Sequence, residues 1–233
     1  MLNKEKHKFI MVQILKDIYS DTEIFSLLGF KGDTAAFLFY DLPRFSVDLD
    51  FDLLNPSSEN RDLLFKKIEK ILLQYGEIKD SQKKFATIFF ALSYESGEHQ
   101  IKVEINTRNT GANYEVLNYL GIPVLAADKS SMLAGKLVAL TERKIFTARD
   151  LFDVYFFLKQ DWEINENVLN AYGIKSLGDC LKKSLTLVEK IPESKMLLGL
   201  GELIDEKQKT WVKTKLKQEA LFILRLAIDK IKS

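Results

Sequence analysis

Apolar residues recur at mostly helical spacing over 5–20, where Phe9, Ile10, Val12, Ile14, Leu15 and Ile18 predict an amphipathic opening helix. Ile24 to Phe30 is a short apolar run before a glycine and predicts a buried strand, with a helix over Thr34 to Tyr40 ended by Asp41-Leu42-Pro43. Phe45 to Leu53 alternates apolar and acidic residues as a strand does. Asn55-Pro56-Ser57-Ser58 then offers a turn and a helix N-cap, and Leu63, Leu64, Ile68, Ile71 and Leu72 continue at helical spacing towards Tyr75. Phe85–Tyr94 and Gln100–Asn106 read as two strands of a hairpin joined through Glu95-Ser96-Gly97-Glu98. Beyond Ile122-Pro123-Val124 the pattern is almost wholly helical, with helices expected near 128–143, 147–159, 164–171, 176–190 and 205–231. The fold class is therefore α+β: a mixed sheet with flanking helices over 1–125, then a C-terminal helical bundle over 126–233.

The densest chemistry lies in Ser46-Val47-Asp48-Leu49-Asp50-Phe51-Asp52. On an extended strand the three carboxylates leave one face at intervals of about 7 Å. Like charges so placed repel, and a divalent cation such as Mg²⁺ between Asp48 and Asp50 relieves the repulsion. A charged solvent face on an edge strand is the plainer alternative. The upstream segment Leu28-Gly29-Phe30-Lys31-Gly32-Asp33-Thr34-Ala35-Ala36 favours the metal, because a strand turning through glycine into a helix presents backbone N–H groups and a positive dipole end to a phosphate. A phosphate cradle followed by a metal strand points to phosphoryl or nucleotidyl transfer. Asp52 shares the face but stands about 14 Å from Asp48, too far for a shared ion, and is expected to be solvated or paired with a nearby base.

Other residues extend this reading. Glu104, on the polar face of the second hairpin strand with Lys102 and Asn106, is the candidate third carboxylate, for a second metal or for the acceptor's proton; a solvent-face ion pair is its alternative. In the helical half, Lys136 and Arg143 are placed to reach a triphosphate, with Asp150 orienting one of them or binding the acceptor and Thr147 as an N-cap. If so, Lys136 and Asp150 face the metal strand; otherwise they are charges of a surface helical hairpin. Neither His7 nor His99 sits at zinc-ligand spacing, and Cys180 reads as an inert thiol. Trp211 stands within the chain's strongest basic run, Lys207, Lys209, Lys213, Lys215 and Lys217, either a solvated helix face or a contact for an RNA backbone.

Composition narrows the classes. With 34 Lys+Arg against 33 Asp+Glu there is no global attraction to nucleic acid or membrane, so any such contact must be local. No apolar run is long enough to span a bilayer. A single cysteine fits a reducing compartment, and no signal-peptide core follows Met1, so a cytoplasmic protein is expected.

Together these segments resemble the AbiEii/AbiGii toxin family, nucleotidyltransferase-like proteins of abortive-infection and type IV toxin–antitoxin systems. The family pattern Lys-Gly-Gly-Thr-Ala-Leu is met by Lys31-Gly32-Asp33-Thr34-Ala35-Ala36, and Arg-Phe-Ser-x-Asp-Leu-Asp-Phe by Arg44-Phe45-Ser46-Val47-Asp48-Leu49-Asp50-Phe51. Lys102-Val103-Glu104, Lys136, Ala139-Leu140, Arg143 and Arg149-Asp150-Leu151-Phe152-Asp153 continue the match. The resemblance implies a nucleotidyltransferase fold and Mg²⁺-dependent transfer of a nucleotide from a nucleoside triphosphate, in some relatives onto an RNA acceptor such as a tRNA end. It also implies a cognate winged-helix antitoxin as partner, and no membrane. It makes Asp48 and Asp50 metal ligands, has Lys136 and Asp150 complete the site beside Glu104, and places Lys31, Gly32, Asp33, Thr34, Arg44, Ser46 and Arg143 around the nucleotide. One departure stands out: Asp33 replaces the second glycine of the phosphate turn and sets a negative charge where phosphates are expected. It either joins the metal site or weakens nucleotide binding. The alternatives to a toxin enzyme are a catalytically reduced nucleotide-binding protein and a housekeeping nucleotidyltransferase acting on a small molecule or protein.

Overall fold

A computed structural model describes residues 2–97 and 99–232; Glu98, part of the expected hairpin loop, lies outside the described residues. The chain forms two compact units. The first, here the sheet unit, comprises Met1–Asp41, Phe45–Asn109 and Tyr114–Ala127; the second, the helical unit, comprises Leu42–Arg44, Thr110–Asn113 and Asp128–Ser233.

Among the described residues the sheet unit holds seven strands, β1 Leu28–Lys31, β2 Leu49–Leu53, β3 Glu77–Lys83, β4 Thr87–Ser93, β5 Ile101–Asn106, β6 Tyr114–Tyr119 and β7 Ile122–Ala127. They form one mixed sheet in the order β3-β4-β5-β2-β1-β7-β6. β1 runs antiparallel to β2 and parallel to β7, and β2 runs parallel to β5. Alternation sorts the side chains: Phe30, Phe51, Val103, Ile105, Ile88 and Phe90 are fully buried, while Lys102 and Glu104 on β5 are exposed. The helices are α1 Lys4–Ser20, α2 Gly32–Phe39 and α3 Ser58–Leu72. α1 and α3 pack together, and α3 lays Phe65 against Phe90 of β4. Asn3 and Ser57 cap α1 and α3 by accepting from Lys6 N–H and Asn60 N–H.

Three differences from the sequence pattern have local causes. The run Ile24–Phe30 is a 3₁₀ turn over Phe25–Leu27 and becomes strand only from Leu28, the start of the four-residue β1. The acidic strand begins only at Leu49, so Asp48 precedes β2. Three strands went unforeseen. β3 is an almost wholly exposed edge without an apolar face, and β6 and β7 are joined by Leu120-Gly121, both at positive φ. That turn conformation favours Asn-Gly or Asp-Gly, and leucine there hides the hairpin signal.

The helical unit comprises α4 Lys129–Glu142, α5 Ala148–Lys159, α6 Glu166–Ala171, α7 Leu177–Lys190, α8 Glu206–Trp211 and α9 Lys217–Lys232. α4 packs on α5 and α7, and α9 on α5 and α7, around fully buried Leu133, Leu137, Leu151, Phe157, Leu181, Leu216 and Leu224. Asp128, Asn165, Ser176 and Asp205 cap α4, α6, α7 and α8. The helix expected over 205–231 is interrupted by a π-helical turn at Val212–Leu216.

Candidate active site

In the sheet unit, register sets a row of charge across three strands: Lys31 on β1 opposes Asp50 on β2, which opposes Glu104 on β5. Asp33 and Asp48 stand near enough to act on the same carboxylate. Burial first, then Asp33, Asp48 and Glu104, push the Asp50 carboxyl up to about 7, against the opposing pull of Lys31. Asp48 Oδ1 accepts from the backbone N–H of Lys102 at 3.2 Å. The structure thus brings Asp48, Asp50, Glu104, Asp33 and Lys31 together around Asp50.

The glycine turn meets this row directly. Gly32, at φ +76°, begins α2, and a Cβ there would lie 2.4 Å from Asp50 Oδ2. No other residue type fits without moving Asp50, so the helix N-terminus lies against the carboxylate. Thr34 and Ser46 take a different part from the one expected. Both are buried; the Thr34 hydroxyl bonds Ser46 Oγ at 2.7 Å and the Asp48 carbonyl, tying the first turn of α2 to the segment that delivers Asp48.

Asp52 is not solvated. It is buried and accepts from Lys31 Nζ (2.5 Å), Asn106 Nδ2 (2.7 Å) and the Tyr114 hydroxyl. Gly29 makes this possible, since a Cβ there would fall 2.2 Å from the Tyr114 ring. His7, passed over in the sequence, is also buried: Nε2–H donates to the Val47 carbonyl at 2.9 Å, leaving Nδ1 to accept from Tyr94 at 2.9 Å. It fixes the residue just before Asp48. Its only sequence signal was its place on the apolar side of α1, beside Met11 and Ile14.

The helical unit gathers the remaining candidates. Lys136 Nζ lies 2.7 Å from Asp153 Oδ2 and 4.0 Å from Asp150 Oδ1. Asp150 Oδ2 accepts from Thr147 Oγ1 (2.9 Å) and lies 3.2 Å from Arg143 Nε in an ion pair, so Thr147 serves Asp150 rather than capping α5 with its side chain. Asp150 Oδ1 is buried and takes no hydrogen bond. Arg44, expected among the nucleotide contacts, is instead fully buried, its Nε and Nη2 on the two oxygens of Asp153 at 2.6 and 2.5 Å. Asp153 therefore neutralises Arg44 and holds Lys136. Cys180 matches its expectation: burial pushes its thiol up to about 11.

The sequence profile of the nucleotidyl transferase AbiEii toxin family, of type IV toxin–antitoxin systems, matches residues 13–221. The chain belongs to this family. It is accordingly a nucleotidyltransferase, of a family whose members take a nucleotide substrate and pair with an antitoxin. Solved structures share the fold. JHP933 from Helicobacter pylori is 22% identical, covers 100% of this chain and 95% of its own, and superposes with a TM-score of 0.62. The nucleotidyltransferase toxin MenT4 from Mycobacterium tuberculosis is 17% identical, with 96% and 85% covered and a TM-score of 0.58. No curated protein matches the chain significantly. Among the described residues no helix is long and apolar enough to cross a membrane.

Proposed function

We propose that this AbiEii-family chain is a toxin that transfers a nucleotide from a nucleoside triphosphate, with Mg²⁺, to an RNA acceptor such as a tRNA end, held in check by a winged-helix antitoxin. The observation that carries the reading is the seat of Gly32 on Asp50: a helix N-terminus, which attracts phosphate, abuts a carboxylate that repels it. The two suit one ligand only if that ligand is an anion bound together with a cation. Among the described residues no group of three or more His, Cys, Asp or Glu forms a closed metal cage. Mg²⁺ needs none, since one or two carboxylates and the phosphates of a substrate complete its shell. Asp48 and Asp50 fit that donor set, and the bound ion would offset charge developing on the phosphates.

The chain's own residues supply the rest. Lys31 and the N–H groups at the start of α2 orient the triphosphate. The acceptor hydroxyl attacks the α-phosphorus, the bond from that phosphorus to the bridging oxygen breaks, and pyrophosphate departs. Glu104, exposed and one strand from Asp50, takes the hydroxyl proton. Within the helical unit, Lys136 and Arg143 supply positive charge around Asp150, whose unbonded Oδ1 is open to a hydroxyl donor. Asp33 supports a second reading, reduced turnover, because its charge adds to the repulsion at Asp50.

The test is incubation with each radiolabelled triphosphate and total cellular RNA, with Mg²⁺ or with EDTA. One triphosphate should label RNA only with metal and not in Asp50→Ala. A wild-type protein that binds triphosphate but labels nothing supports the reduced-turnover reading. Labelling that persists in Asp50→Ala overturns the site.

A further inference from the structure

The basic run around Trp211 has no part in the site above, yet the structure builds a cavity beside it. The cavity, about 480 Å³, lies within the helical unit and is walled by Phe152, Tyr155 and Phe156 of α5, by Trp211 and Gln208 of α8, and by Pro43. Its rings are held in place. Glu219 of α9 accepts from the Tyr155 hydroxyl at 2.5 Å and from Trp211 Nε1 at 3.2 Å, so one carboxylate fixes two aromatic planes. Those bonds, Tyr155 first, keep Glu219 below the usual carboxylate range, with Lys159 and Lys215 adding to the effect. Trp211 packs at 5.3 Å and 44° to Tyr155, and at 6.1 Å and 85° to Phe152. Tyr155 and Phe152 are buried, whereas Trp211 and Phe156 keep part of their surface open to the cavity.

The π-helical turn Val212–Leu216 starts directly after Trp211. Such turns are rare and concentrate at functional positions. Here it carries exposed Lys213 and Lys215, and exposed Lys207 lies one turn before Trp211. None of these three lysines is in an ion pair among the described residues, while Lys209 is tied to Glu206 at 2.6 Å. The cavity also backs onto the charged cluster through two neighbouring residue pairs. Phe152 walls the cavity while Asp153 holds Lys136, and Pro43 walls it while Arg44 meets Asp153. The Gln208 side-chain amide donates to the Pro43 carbonyl at 2.5 Å and keeps that corner closed.

We infer that this cavity is a docking site for single-stranded RNA: an unpaired base stacks on Trp211 and Phe156, and Lys207, Lys213 and Lys215 follow the adjoining phosphodiesters. Fixed aromatic planes flanked by free cations are what sequence-tolerant single-strand binding uses. Lys159 in the cavity wall, with three exposed lysines outside ion pairs on the segment around Trp211, favours a polyanion over an apolar peptide. The inference rests on the transferase reading, for which it supplies the acceptor's footing near Lys136 and Asp150.

The test uses the full chain and a fluorescein-labelled single-stranded oligoribonucleotide of about twelve nucleotides, followed by anisotropy at several salt concentrations. Phe156→Ala should weaken binding about tenfold, the scale of one lost base–aromatic stack. Lys213→Glu with Lys215→Glu, both on exposed side chains, should weaken it and flatten the salt dependence by about 1.4 in logarithmic slope, roughly 0.7 per lost phosphate contact. In a Trp162→Phe background Trp211 is the sole tryptophan, and its emission should fall as the oligonucleotide saturates. Binding of Mg²⁺–triphosphate, titrated calorimetrically, should be unchanged in both variants. A wild-type chain that binds no oligoribonucleotide at low salt overturns the inference, as do variants that bind like wild type or Trp211 emission that does not move. If triphosphate binding is absent while the RNA effects hold, the transferase reading fails and the docking site stands.

Discussion

Replacing Asp50 by Asn should stabilise the metal-free protein at neutral and higher pH. The carboxyl is pushed from its ordinary 3.8 up to about 7 by burial and by Asp33, Asp48 and Glu104. A raised acid pKa means that the folded chain binds the proton more tightly than the unfolded chain between about pH 4 and pH 7. Stability from this group is therefore greatest below that window, falls as pH rises through it, and stays low above pH 7. Three pH units at about 1.4 kcal/mol each set an upper bound on the order of 4 kcal/mol for the cost of ionising Asp50. Partial exposure of the side chain brings the expected gain on substitution to about 1–3 kcal/mol at pH 8, to roughly a third of that at pH 5, and to near zero only below about pH 4. Urea denaturation in EDTA at pH 5, 6, 7 and 8 measures this as a midpoint shift at constant slope. Adding Mg²⁺ at pH 8 should then stabilise the wild type and leave Asp50→Asn nearly unmoved, since only the former has the anionic pair. An Asp50→Asn protein that is less stable than wild type at pH 8, or a difference that does not vary with pH, would refute the argument that repulsion dominates this row.

Three further outcomes follow from the same geometry. Asp52→Asn should lower stability by about 1–3 kcal/mol by thermal melting, because a carboxylate with three donors becomes an amide with fewer acceptor sites; it should also raise KM for the triphosphate by releasing Lys31, and adding Lys31→Met should recover part of the stability. Gly32→Ala should cost about 1–2 kcal/mol for its positive φ and cut transfer by at least tenfold, because its Cβ must displace the Asp50 carboxylate; a fully active Gly32→Ala would show that the turn does not press on that group. Arg44→Met alone should destabilise by about 3–5 kcal/mol, since it leaves Asp153 with one cation fewer in a buried setting, whereas adding Asp153→Leu should recover only part of that loss, because Lys136 then loses its 2.7 Å partner.

How far the sequence revealed this protein depends on whether a feature is local. The amphipathic helices and the Gln100–Asn106 strand were legible because their periodicity lies within one segment. The Gly32 turn and the Asp-x-Asp pattern were legible for the same reason. Strands β3 and β6 were not, since an exposed edge has no apolar face to show. Arg44 misled because its neighbours belong to the site motif, while its guanidinium is claimed by Asp153, 109 positions away. Tyr114 reaches Asp52 across 62 positions and His7 reaches Val47 across 40, distances over which spacing carries no information.

The contrast between Asp50 and Asp52 shows what the fold adds to the motif. Both are aspartates on one strand, on one face, about 7 Å apart, and the pattern treats them alike. Their partners differ because the neighbouring strands differ. The row through Asp52 runs from Gly29 to Asn106; the glycine admits the Tyr114 ring, and the Tyr114 hydroxyl, the Asn106 amide and Lys31 all donate to the carboxylate. The row through Asp50 ends in Glu104 and lies beside Asp33 and Asp48, and Gly32 is pressed against it with no side chain to donate. One carboxylate is satisfied by the protein and anchors the strand. The other stands among acids whose repulsion Lys31 offsets only in part, at the spot where a helix N-terminus invites phosphate. A chain selected for stability alone would have placed a donor at position 104 or 33, as it did at 106. That it carries acids there instead is the reason we propose Asp50, rather than the acidic strand as a whole, as the point from which the chemistry is built.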